Sequence, residues 1–171
     1  MKKLLIAAAT VLIATPVIAQ PIVTIQPNPT QAEGTAPRPK RERGITAALA
    51  VEAALLSNTT CQTNGTLVTT VVVDSVGEPI ALISNDGAAT ITQRIAMGKA
   101  QYSITTKLPS VEGSKAAPEI IAKLGPARPG GIPIMVGGAL VGAIAASGSP
   151  TGQADEVCVR AGLAKVQDRL K

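Results

Sequence analysis

Arg94, Met97 and Gln101 recur at spacings of three and four, and so do Lys99, Tyr102 and Thr106. On a helix such spacings place side chains along one face. Lys99 and Arg94 are natural partners for a carboxylate-bearing ligand. Asp86 stands in an Asn-Asp-Gly turn just before this stretch, so Asp86, Arg94, Lys99 and Tyr102 form the candidate binding set. The alternative is that Met97 packs in the core while both basic residues lie in solvent.

Other chemistry is sparse. The chain has no histidine, which removes imidazole bases, His-based triads and imidazole metal ligands. Its glycine-rich segments contain neither GK[ST] nor GxGxxG, and Ala145 stands where a GxSxG elbow before Ser147 would need glycine. Cys61 and Cys158 are too few for a zinc site. Asp74, Asp86, Asp155 and Glu156 are available carboxylates, but their spacing does not bring any two together. These residues predict a binding protein rather than an enzyme.

Several elements must position the candidate set. Thr90-Ile91-Thr92-Gln93 fits a capping box and predicts a helix through about Thr105. An earlier helix is predicted from near Thr46 to Ser57, with Cys61 after it, on the spacing of Leu49, Ala53 and Leu56. Leu67–Val73 reads as a strand by its β-branched content, and Ser75–Pro79 turns it back into a second strand, Ile80–Ser84. Asp74 would cap that turn. Beyond Pro109-Ser110 an irregular region is expected, with a helix around Glu119–Leu124 and breaks at Gly125-Pro126 and Pro129-Gly130-Gly131. GGIPIMV and ALVGAIAAS read as strands joined by Gly137-Gly138, both at positive φ. The second is small and apolar, fitting a strand buried on both faces, although periodicity alone leaves a helix open. SGSPTG then leads into a last helix from about Ala154 to Leu170. A strand, a small-residue loop and a helix start let a ligand approach the backbone closely. Together these elements predict an α+β domain with a mainly antiparallel sheet and flanking helices.

The 171-residue length allows one core. Met1-Lys2-Lys3, an apolar run and Val17-Ile18-Ala19 have the parts of a secretory signal over residues 1–19, so a periplasmic or secreted protein is expected. Residues 20–43 are proline-rich and end in RPKRER, which predicts an extended, mostly disordered leader. That basic cluster is either solvated or a contact for an acidic partner. From Gly44 onward ten Lys or Arg face nine Asp or Glu, so the folded part lacks a basic face for nucleic acid. With no Phe, no Trp and Tyr102 as the single Tyr, it also lacks stacking platforms. No membrane span is expected once the signal is removed, because the apolar run is short for one.

One ordered set of stretches carries a resemblance. VVVDSVGEPIALISNDGAA, IAMGKA, GGIPI, LVGAIAASGS and QADEVCVRAGL resemble the GlcG/HbpS-like heme-binding family, a related module of which ends the PduO-type corrinoid adenosyltransferases. The match runs from about Ile45 to the C-terminus, giving residues 44–171 as the domain. Ser84, Tyr102-Ser103 and Ala145-Ala146 depart from the residues the family usually carries there.

The resemblance implies profilin-like α/β/α layers with the first and last helices on one face. It also implies heme as cofactor; by their types and spacing Arg94 and Lys99 would suit its propionates and Tyr102 or Met97 its iron. Neighbouring first and last helices would bring Cys61 and Cys158 within bonding reach, and an exported chain meets the oxidising conditions that a disulfide needs. Two separate buried thiols are the alternative. Three functions stay open: a small-molecule or heme binder without turnover, an accessory subunit (of a homo-oligomer or a periplasmic redox enzyme), and an enzyme of heme or peroxide chemistry.

Overall fold

The structure, a computed structural model, describes residues 44–116, 118–124 and 128–170. The signal segment, the leader and the Gly125-Pro126 break lie outside the described residues. Helix α1 (Ala47–Thr63) is followed by strands β1 (Thr69–Asp74) and β2 (Pro79–Ser84) and helix α2 (Ile91–Thr106). Two short helices, α3 (Ser110–Ala116) and α4 (Pro118–Leu124), precede β3 (Gly131–Val136), β4 (Ala139–Ser147) and α5 (Gly152–Ala164). A single 3-10 turn over Gln167–Arg169 ends the described chain.

The strands form one antiparallel sheet in the order β2-β1-β4-β3. β1 is buried along its whole length and β4 from Gly142 onward, as expected of central strands covered on both faces. Gly137 and Gly138 make the β3–β4 reversal at φ 55° and 81°, so the small apolar run is a strand, not a helix. Strand alternation divides the core into two halves. Val72, Ile132, Ile134, Ile144 and Ala146 pack with Ala50, Ala53, Val159 and Leu163 of α1 and α5. Val71, Val73, Ala143 and Ala145 meet Ala96 and Ala100 of α2 on the opposite face. The layers are therefore α/β/α, with the first and last helices together.

Small residues allow these layers to approach closely. A Cβ added at Gly162 of α5 would lie 2.5 Å from the Ala53 carbonyl oxygen and closer still to the Ser57 hydroxyl. Gly162→Val should therefore cost about 1–3 kcal/mol by overpacking, although replacing a helical glycine would otherwise help slightly. Urea unfolding of this variant checks the close α1–α5 approach.

Local chemistry changed several predicted boundaries. α1 continues past Ser57 to Thr63, so Cys61 lies within the helix. Ser57, Thr60 and Thr63 fold their hydroxyls back onto carbonyls four residues earlier, at 2.8, 2.8 and 2.9 Å, which removes the competition that usually ends helices there. The capping box does not form: Thr90 already has helical angles, and Thr92 turns its hydroxyl to Ala89 O. Ser110 opens α3 in the region expected to be irregular; its hydroxyl donates to Arg128 O and accepts from Gly131 N. α5 stops at Ala164 rather than Leu170, with Lys165 N and Val166 N making tighter bonds back to Gly162 and Leu163 carbonyls.

Candidate functional site

The predicted residues divide by environment. Lys99, Tyr102 and their neighbour Ser103 are buried on α2, whereas Arg94 is exposed and Met97 packs beside the Val71–Ala145 core. Asp86 is exposed in its turn. Gln101 donates to Gly77 O at 2.8 Å, fastening α2 over the β1–β2 turn. Asp74 caps that turn as expected, accepting from Val76 N at 3.1 Å and Glu78 N at 2.9 Å.

Lys99 occupies the inward stripe of α2 where β3 begins and β4 ends. Its Nζ donates to Asp155 Oδ2 and to Ala146 O, each at 2.7 Å. Asp155, in the first turn of α5, accepts from Ser149 N with its other oxygen at 2.9 Å. One lysine thus joins α2, the end of β4, the small-residue loop and α5. Burial pushes the ammonium below its ordinary pKa, while the hydrogen bond and charge of Asp155 push it back up. The ion pair is 4 % and 3 % exposed on its two sides, so solvent screens it little.

The glycines around this pair serve it directly. Gly130 has φ 115°, and an added Cβ would lie 2.8 Å from Lys99 Nζ and 2.9 Å from Ala146 O. At Gly131 an added Cβ would meet Lys99 O at 2.6 Å. The sequence placed close approach at the SGSPTG loop and read Gly130-Gly131 only as a break; in the structure it is Lys99 that lies against Gly130 and Gly131.

The loop is held a second time by Cys61 and Cys158, which form a disulfide with Cα atoms 5.4 Å apart. Ser149 Oγ lies 3.2 Å from Thr66 Oγ1 and 3.6 Å from Cys61 Sγ. Thr151 closes the arrangement by accepting from Ala154 N at the start of α5. Sequence reasoning missed a buried polar seam nearby: Thr70 donates to Asn58 Oδ1 at 2.6 Å, and Asn58 donates to Ile83 O at 3.1 Å. The sequence reading ended the first helix at Ser57, so Asn58 fell just beyond it, and no sequence signal marks it as an interior partner.

An apolar notch of about 110 Å³ lies elsewhere, lined by Ile45, Leu49, Val136, Val141 and Leu170 with Arg169 at its margin. Arg169 is already paired with Glu52 through both guanidinium NH groups, at 3.0 and 2.6 Å. Drug-sized ligands occupy cavities of roughly 300–1,000 Å³, so this notch does not fit a porphyrin. Nor does the α2 set fit heme as the sequence arranged it, since Lys99 is spent on Asp155 and Tyr102 is 2 % exposed. Among the described residues no group of three His, Cys, Asp or Glu is placed to hold a metal ion. No helix among them is long and apolar enough to cross a membrane.

The layering and the four-stranded antiparallel sheet define an α+β domain of the HbpS-like kind. A family model described as "Haem degrading protein HbpS-like" matches residues 45–164, and the chain belongs to that family. The crystal structure of HbpS superposes with a TM-score of 0.68 at 29 % identity, over 77 % of this chain and 98 % of that one. A double mutant of Streptomyces reticuli HbpS gives 0.69 at 29 % identity, covering 77 % and 94 %. A PduOC–heme complex shares the fold, with a TM-score of 0.64 at 18 % identity over 71 % and 94 %. No curated protein matches the sequence.

Proposed function

We propose that this chain is an exported small-molecule-binding protein whose ligand is heme, held outside the packed interior and without turnover of its own. The observation that carries the ligand class is the HbpS-like match across residues 45–164. Placement outside the interior rests on the commitment of Lys99 to Asp155 and the burial of Tyr102. These two side chains serve the fold; of the predicted set, exposed Arg94 is the basic group open to a propionate. Without histidine, the chain offers no imidazole to iron. Export is supported by the signal-like residues 1–19 and by the Cys61–Cys158 disulfide.

Hemin titration of the mature protein, followed at the Soret band, tests this reading. A saturable, stoichiometric shift that persists with peroxide present is expected, with Gln20 as the N-terminal residue. Absence of a saturable shift would contradict heme binding, and bleaching faster than free hemin would show turnover. A second reading, an accessory subunit of a periplasmic assembly, is favoured by one observation: the space beside Gly130 and Gly131 is filled by Lys99 rather than open to a ligand.

A further inference from the structure

The described asparagines differ in what holds them. Asn58 is buried, donating to Ile83 O and accepting from Thr70 Oγ1. Asn85 accepts from Val68 N at 3.0 Å. Asn64, the C-cap of α1, is exposed, and among the described residues its side-chain amide has no hydrogen-bond partner. It is also the one asparagine of the chain that is followed by glycine.

Gly65 is exposed at φ 78°, and an added Cβ would meet nothing within 4 Å. With no side chain of its own and open space around it, its backbone nitrogen is accessible to the Asn64 amide carbon. That nitrogen donates to Gln62 O at 2.9 Å. The bond sits at a solvent-exposed helix end, where local opening costs least.

We propose that Asn64-Gly65 is a site of spontaneous deamidation that loosens the junction between α1 and β1. Gly65 N attacks Asn64 Cγ; the new C–N bond closes a succinimide ring, and the side-chain nitrogen leaves as ammonia. Water then opens the ring at either carbonyl, giving aspartate or isoaspartate, so water is the only co-reactant. Both products place a negative charge at the C-terminus of α1, whose last turn carries no basic residue to offset it. Isoaspartate also lengthens the backbone by one carbon between the helix and Thr66. Thr66 N and Oγ1 both donate to Cys61 O, at 3.0 and 3.1 Å, and Oγ1 lies 3.2 Å from Ser149 Oγ. The modification therefore acts on the contact between α1 and the loop before α5. The inference does not depend on heme.

Prolonged incubation of the mature full-length chain in warm, mildly alkaline buffer tests it, because loss of the Gly65 N–H proton speeds the attack. Isoelectric focusing should show wild type converting to a species more acidic by one charge, and fragmentation mass spectrometry should place isoaspartate at position 64. Asn64→Gln, which would need a larger ring, should stay a single band and remain folded by circular dichroism. Asp86-Gly87 does not enter this readout, since its cyclisation expels water and leaves the charge unchanged. The acidic wild-type fraction should unfold at lower urea than fresh protein. Persistence of the wild-type charge, or an equal acidic shift in Asn64→Gln, would overturn the site. An acidic fraction with an unchanged urea midpoint would overturn the loosening.

Discussion

Replacing Lys99 with methionine should lower the unfolding free energy by about 3–5 kcal/mol, the usual cost of removing one partner from a buried ion pair. The loss follows from what remains. Asp155 would keep its bond from Ser149 N but lose its counter-charge inside the protein, and Ala146 O would lose a donor. Methionine is apolar and of similar length, so packing changes little. Adding Asp155→Leu to Lys99→Met should restore part of the loss, because no unpaired charge is then buried. Urea unfolding of the two single variants and the double variant measures the coupling. Additive losses would mean that the pair does not act as a unit.

Opening the Cys61–Cys158 bond should be comparably costly. The cysteines are 97 residues apart. Closing a loop of about 100 residues in the unfolded chain is worth roughly 4.7 kcal/mol in the chain-entropy model, and removing native disulfides typically costs about 2–5 kcal/mol. Cys61 and Cys158 are 0 % and 1 % exposed, so reductant alone should act slowly and reductant with urea quickly. Thiol counting on unfolded, unreduced protein should find none free. Cys61→Ser/Cys158→Ser should unfold at markedly lower urea, and an unchanged midpoint would remove the staple from this account.

Much of the framework was legible because it rests on short-range rules. Gly137-Gly138 between apolar runs specifies a tight reversal, and the small β-branched content of ALVGAIAAS suits a strand covered on both sides. Asp74 at a turn predicts its own cap. The layering came through the family resemblance, since no local pattern says which helices share a face. The site was harder to read. Periodicity put Lys99 and Tyr102 on α2 correctly, but Asp155 lies 56 residues further on, and spacing cannot report a contact that the fold creates. Asp155 was one of four available carboxylates, with nothing to distinguish it. The glycines at 130 and 131 read only as a break, because a lysine that comes to lie against them through the fold leaves no mark in the local sequence.

The central claim is that the α2 residues proposed from spacing belong to the interior rather than to a ligand surface. Tyr102 tests it most directly, because it is the only Tyr in a chain without Trp and its phenolate absorbance reports one group. Burial raises its pKa above the ordinary 10.0. A raised phenol pKa gives stability that is fully present below about pH 10 and is lost as pH climbs toward the folded-state value. Alkaline titration should therefore show Tyr102 less than half ionised at pH 10, with the rest of its ionisation at higher pH accompanied by loss of ellipticity, unaltered by hemin. Half-ionisation at or below pH 10 with the fold intact, or a hemin-dependent shift of that curve, would place Tyr102 at a ligand site and contradict the account.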